Sequence, residues 1–176
     1  MISRYKYTDA ELKQLLKTLT VIVDTREKEN QHITEYFASK GIQYTNKALS
    51  FGDYSYLLPA CPELGINRDL YFTGDIVVER KNSLEELSGN LAQQRDRFEN
   101  EFLRAGDCKI ILMVEGGDYA AIMRHGYKTD FSEKAFMASL MAWQQRYNIH
   151  VAFVPQAYAG QYIHGLFHYH LREQLR

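Results

Sequence analysis

The sequence predicts an α/β fold: a β-sheet flanked by helices on both faces, in a single domain over residues 1–176. Three observations predict it. Short runs of apolar and β-branched residues alternate with longer segments of helical period, the pattern of a layered sheet. The run Ile76-Val77-Val78 is apolar without alternation, as in a strand covered on both faces. The composition, 45% hydrophobic and 24% charged in 176 residues, suits a globular chain with a sizeable core and excludes a disordered one.

The elements follow in order. Residues 1–19 end in a helix, because Thr8 and Glu11 stand at capping-box spacing and Leu12, Leu15, Leu16 and Leu19 share a face. "TVIVDT" (20–25) is a strand, and "QHITEYFASKG" is a helix stopped by Gly41. "IQYTNKALSFGDYSYLL" supplies two strands around a turn near Phe51-Gly52. Residues 59–74 hold two prolines and two glycines without periodicity and read as a loop insertion. The strand at 76–78 leads into one long helix that reaches about Ala105. "KIILMVEG" and "IHVAFV" are strands; "YAAIMRHG", "SEKAFMASLMAWQQRYN" and "AYAGQYIHGLFHYHLREQL" are helices.

The formal net charge of −1 makes no overall electrostatic case for nucleic acid, so any basic surface must be local or completed by a partner. Cys61 and Cys108 are isolated and read as reduced thiols of an intracellular protein. The first residues are too polar for a signal peptide or a membrane span, so a soluble cytoplasmic protein without membrane contact is expected.

The chemistry concentrates where charge follows apolar strands. In "DIVVERKNSLEEL" the strand runs straight into Glu79, Arg80 and Lys81. Alternation puts Glu79 and Lys81 on one face and Arg80 on the other. A carboxylate that holds a divalent metal, beside an ammonium that orients water or stabilises phosphate charge, is a set suited to phosphodiester hydrolysis. The same acid-x-Lys spacing at 11–13 and 107–109 lies elsewhere: one on a polar helix, the other ahead of its strand. Asp24 ends the first strand in "VDTRE" and Asp53 opens another in "FGDYSYLL". With Glu27, these acids sit at strand edges and could converge around a cation. The plain alternative is turn residues and ion pairs, with Glu79 held by Arg80 or Arg26.

"VDTRE", "GDYSYLL" and "VVERKNSLEELSGNL" together resemble the nuclease domain of the XPF family of structure-specific endonucleases, in particular its stand-alone bacterial and phage versions. The resemblance covers nearly the whole chain after Thr20. It implies a restriction-endonuclease-like fold with a mixed β-sheet core, and a Mg2+- or Mn2+-dependent DNA endonuclease acting on branched or flap-like DNA, with 5′-phosphate and 3′-hydroxyl products. It makes Asp53 and Glu79 the main metal ligands, with the Arg80 carbonyl a third. Asp24 would add a ligand or hold a water. Lys81 would position the attacking water, and Arg26 and Glu27 would brace the site or touch the phosphate. The family's closing Asp falls on Glu85, or on Glu86 with a one-residue shift. Relatives dimerise through this domain, which implies a homodimer using the C-terminal helices; a partner protein would also complete the DNA surface. A junction-resolving or repair nuclease of the same fold, and a DNA-binding module without catalysis, are the other readings. The helix-hairpin-helix modules of many relatives do not follow in this sequence, so their substrate choice does not transfer.

Further signals are weaker. Arg95 falls on the apolar stripe of the helix after Lys81, where it needs an acid or a phosphate; Arg97 lies on the other side, solvated or against DNA. His164 and His168, with His170 near, could hold zinc but lack a completing cysteine or acid. The 13 tyrosines could stack on bases or pack in cores. "VEGG" (114–117) reads as a plain turn.

Overall fold

A computed structural model describes residues 7–176. Among these are seven strands of mixed direction and seven α-helices, the mixed α/β architecture expected. The chain forms two compact units. One comprises the chain up to Leu49 with Tyr54–Thr73 and Gly160–Arg176; the other comprises Ser50–Asp53 and Gly74–Ala159.

The first unit begins with helix α1 (Asp9–Thr18). Thr8 Oγ1 accepts from the Glu11 N–H, and the Glu11 carboxylate accepts from the Thr8 N–H at 2.8 Å, a complete capping box. Residues 1–6 of the expected N-terminal segment lie outside the described residues. Strand β1 (Thr20–Val23) follows. Helix α2 (Gln31–Lys40) ends at Gly41, whose φ of 65° is the left-handed cap anticipated from its position. Strand β2 (Gln43–Asn46) runs parallel to β1, and β3 (Tyr54–Leu58) runs antiparallel to it, with Val21 opposite both Tyr44 and Tyr56.

The 59–74 segment is more ordered than its composition suggests. It holds a 3-10 turn at Pro62–Leu64 and strand β4 (Leu70–Tyr71), antiparallel to β3. Two residues are too few to show a period. What holds β4 is tertiary: Phe72 stacks on the Tyr56 ring, centroids 4.5 Å apart. Helix α7 (Ala159–Leu175) buries Ile163, Phe167 and Leu171 at helical spacing, and His170 Nδ1 meets the Tyr56 hydroxyl at 2.7 Å.

In the second unit β5 (Ile76–Lys81), β6 (Lys109–Val114) and β7 (Ile149–Phe153) are parallel with β6 central, in register from Ile76 opposite Lys109 to Lys81 opposite Val114. Helices α3 (Leu84–Gln93), α4 (Arg95–Ala105), α5 (Tyr119–Met123) and α6 (Glu133–Arg146) complete it. One core gathers Val77, Leu112 and Val114 with Leu87, Phe98 and Trp143. The alternate residues Ile76, Val78, Ile111 and Met113 are also buried, so these strands are covered on both faces as the unbroken apolar run implied.

The expected long helix is in fact two. Gln94, at φ −129°, ends α3 and caps α4, its carbonyl accepting from the Phe98 N–H. No Gly or Pro marks the break and the apolar stripe continues through it, so nothing local could have located it. No helix among the described residues is long and apolar enough to cross a membrane. Cys61 and Cys108 are free and buried.

Candidate active site at the end of strand β5

Gly52-Asp53 and Glu79-Arg80-Lys81 meet through the backbone. Gly52 has φ 75°, and a Cβ there would stand 2.9 Å from Val77 Cβ. Only glycine fits both the left-handed turn and that close approach. The approach lets Asp53 strap itself to β5 at two points: its N–H donates to the Val78 carbonyl at 2.8 Å, and its Oδ2 accepts from the Arg80 N–H at 2.7 Å. The N–H and C=O of one strand residue leave on the same side. The Arg80 carbonyl therefore points toward the edge that Asp53 occupies, while the Lys81 carbonyl accepts from the Glu115 N–H of the β6 side.

Side-chain alternation then separates the charges. Lys81 Nζ lies 2.9 Å from Glu79 Oε1, on the helix-covered face, above the Phe98 ring at 4.7 Å. Arg80 points the other way into a closed pair with Glu115, Nε to Oε1 at 2.8 Å and Nη2 to Oε2 at 3.1 Å, both side chains 2% exposed. Lys81 also approaches Glu86 Oε1 at 3.7 Å. Of the two candidates for the closing acid, Glu86 is the one that reaches Lys81. Its other oxygen accepts from the Asn82 N–H, which anchors it at the start of α3.

Electrostatics follow the crowding. Burial pushes the Glu79 carboxyl up; Lys81 opposes this, and Glu101 and Glu86 add to it. Burial works against the Lys81 ammonium, but Glu79, with Glu86 and Asp53 behind it, outweighs burial and holds its pKa above the ordinary lysine value. A cleft of about 140 Å³ opens here, lined by Glu79, Lys81, Asn90, Gln94, Arg97 and Glu101. Among the described residues, the buried Oδ1 of Asn90 has no hydrogen-bond partner. Arg97 stands at the rim, 76% exposed and 4.0 Å from Glu101.

The other expected residues make local structures of their own. Asp24 is a buried turn former: Oδ1 accepts from the Arg26 N–H and Nε, and Oδ2 from the Leu49 N–H and Arg26 Nη2. Burial works against its charge, but these hydrogen bonds outweigh it and hold the carboxyl below the ordinary range. Arg26 remains 68% exposed beyond this pair, and the Glu27 N–H closes the turn on the Asp24 carbonyl. Arg95 pairs with Glu99 at 3.0 Å, donates to Ser139 Oγ at 3.0 Å and lies over Trp143. It thus has the acid that its place on the stripe demanded, and that acid, Glu99, also accepts from Trp143 Nε1 at 2.7 Å. Among the described residues, no group of three or more His, Cys, Asp or Glu is gathered to hold a metal, the histidines of α7 included.

Sequence reasoning missed Glu115, Phe98, Asn90 and Gln94. Glu115 ends β6 as Arg80 nears the end of β5, and a charge after an apolar run was the available signal. The glycines after it allow tight packing: a Cβ on Gly117 would overlap Leu84 of α3.

The model of the ERCC4 domain family matches residues 23–166. Among solved structures the fold is similar to XPF from Aeropyrum pernix, with a TM-score of 0.57 and 21% identity over 89% of this chain and 64% of that one. It is also similar to XPF from Aeropyrum pernix in complex with DNA, with a TM-score of 0.60 and 22% identity over 89% of this chain and 67% of that one. The chain thus spans about two thirds of the length of these structures. No curated protein matches it.

Proposed function

The chain belongs to the ERCC4 domain family, and from that premise we propose that it is a divalent-metal-dependent DNA endonuclease of XPF type that hydrolyses phosphodiester bonds in branched or flap-like DNA. The observation that carries this is the strap of Asp53 across β5, which sets its carboxylate and the Arg80 carbonyl beside the open Glu79–Lys81 pair.

The residues present suit Mg2+ or Mn2+. Asp53, Glu79 and the Arg80 carbonyl are hard oxygen donors, and the Glu86 and Glu101 carboxylates lie close enough to act on the Glu79 charge. Such a set would suit magnesium, which prefers a few carboxylates with waters and phosphate oxygens. Bound there, such an ion would supply Lewis-acid polarisation of the phosphate and activation of water.

The chain's own groups do the rest. Lys81, held by Glu79 and by the Phe98 face, lines the cleft, where its ammonium would orient a water or stabilise a phosphoryl oxygen. Arg97, exposed at the rim, offers a guanidinium to the DNA backbone, as does Arg26 from its turn. Asp24, its oxygens already engaged, acts by holding that turn. With a net charge of −1, DNA binding falls to local basic surface, which a homodimer presenting two such clefts to one DNA, or a partner protein, would extend.

The test is cleavage of flap, fork, nick, junction and linear DNAs with magnesium or manganese, with the assembly state measured by light scattering. Wild type should cut a branched substrate only with metal. Asp53→Asn and Glu79→Gln should be inactive yet folded. Parental rates in both variants would place the chemistry elsewhere.

A further inference from the structure

In the first unit a groove of about 590 Å³ runs along α1, past the end of α2, and against α7. Its charge is one-sided. Lys13 and Lys17 reach it from one face of α1, Lys40 from the last turn of α2, and Arg172 from α7; Asp9 is the single acid. Among the described residues these three lysines have no ion pair. Lys13 and Lys17, four apart on one helix, repel each other, so the fold tolerates a mild cost to keep them together. This local excess stands on a chain whose net charge is −1.

The floor is apolar. Leu12, Leu16 and Leu19 line it from α1 and Ile42 from beyond α2. The half-buried rings of His164 and His168, centroids 5.9 Å apart, form one wall. Burial pushes both imidazoles below their ordinary pKa, with His168 acting on His164 and Arg172 acting on His168. Near neutral pH the wall is uncharged, and the lysines and Arg172 supply the cationic rim. The α1 residues, His168 and Arg172 all lie outside residues 23–166, so most of this groove is built from parts beyond the family match.

We propose that this groove is a binding site for single-stranded DNA, taking the phosphates on Lys13, Lys17, Lys40 and Arg172 and an unpaired base on the leucine floor and the imidazole wall. Anion and flat apolar face in one ligand are what a nucleotide offers. Duplex DNA keeps its bases stacked inside and would leave the floor empty, whereas sequence-tolerant strand binding combines a basic groove with ring and apolar platforms. An acidic peptide would answer the charges and not the floor. The volume lies within the range of sites that enclose a ligand, about 300–1,000 Å³, and admits a nucleotide. The proposal rests on the reading of this chain as a DNA nuclease and supplies the feature by which it would select a substrate with a free strand.

The test is binding of a labelled 15-nucleotide oligo(dT), and of a blunt duplex, by fluorescence anisotropy in EDTA across a salt series. Wild type is compared with Lys13→Ala/Lys17→Ala and with Arg172→Gln; thermal unfolding checks the fold, and the exposed Lys13→Gln/Lys17→Gln pair serves as a second, milder variant. The double variant should bind oligo(dT) roughly tenfold more weakly. Its salt dependence should be shallower by about 1.4 in log–log slope, at about 0.7 per lost phosphate contact on a single strand. Duplex binding should stay within about twofold, as few of its contacts should involve this groove. Unchanged oligo(dT) affinity and slope in folded variants overturn the proposal, as does displacement of the oligo by polyglutamate at equal charge. Cleavage distinguishes the two readings: a wild type that cuts DNA while the groove variants bind strand normally sinks the groove alone, and a wild type that cuts nothing with any metal sinks the nuclease.

Discussion

The two faces of strand β5 carry the same kinds of charge and put them to opposite uses. On one face Arg80 and Glu115 form a two-point ion pair with 2% of either side chain exposed. Both carboxylate oxygens are engaged by the guanidinium, away from water, so the pair can hold structure and do little else. On the other face Lys81 meets Glu79 through one contact, at side-chain exposures of 10% and 13%, beside a cleft. That pair is crowded by Glu86 and Glu101 and keeps capacity for a guest. Closure, more than charge, separates a structural pair from a reactive one.

Four measurements can break or sharpen that contrast. The largest effect belongs to the open face. Glu79→Gln should lower single-turnover cleavage by on the order of 10³ or more, with the unfolding midpoint nearly unchanged, since it removes a ligand expected to stabilise transition-state charge. A large loss of stability instead would make Glu79 a structural residue like Glu115.

Lys81→Ala should slow the chemical step by on the order of 10² while DNA binding holds, as for loss of one positioned charge. Lys81→Arg should recover little, because the planar guanidinium is broader than a point ammonium and would compete for the Phe98 face. Cleavage that falls only in step with binding would demote Lys81 to a phosphate contact.

The closed face should respond the other way. Glu115→Ala should cost about 3–5 kcal/mol of stability, because it removes the carboxylate that pairs with the buried Arg80 guanidinium. Replacing both partners, Arg80→Met with Glu115→Leu, should restore most of that loss and leave cleavage close to wild type, since Asp53 needs only the Arg80 backbone. Denaturant unfolding beside cleavage decides it; an inactive but stable double variant would show that the guanidinium takes part in the reaction.

The smallest effect is in pH. Glu99 accepts from Trp143 and Arg95, which together outweigh its burial and hold its carboxyl below the ordinary range. A depressed folded pKa contributes stability that is present above the unfolded value of about 4.3 and is lost as pH falls through the lower, folded value. Glu99→Gln should therefore flatten the acid limb of the stability curve below about pH 4.3, with no effect on that slope near neutrality.

Much of this was legible from sequence, and the legible part is local. Alternation along a strand requires no knowledge of neighbours, so the split of Arg80 from Glu79 and Lys81 could be read from three letters. The cap at Thr8 and the left-handed stop at Gly41 follow equally from short-range sterics and hydrogen bonding. The α/β class followed from the order of periodicities, and the mixed sheet and the family from the resemblance carried by Gly52-Asp53 and Glu79-Arg80-Lys81, the family being borne out by the match over residues 23–166. What only the tertiary structure decided are the partners of residues far apart in the chain. The acid for Arg80 lies 35 residues on; Glu86 rather than Glu85 reaches Lys81; Asp24 closes on Arg26 and Leu49; β4 is held by pairing and ring stacking; and the break at Gln94 has no local mark. The basic groove belongs to this second kind. Lys13, Lys40 and Arg172 are unremarkable in sequence because charge spacing along a chain carries no information about distance in space until the core has folded.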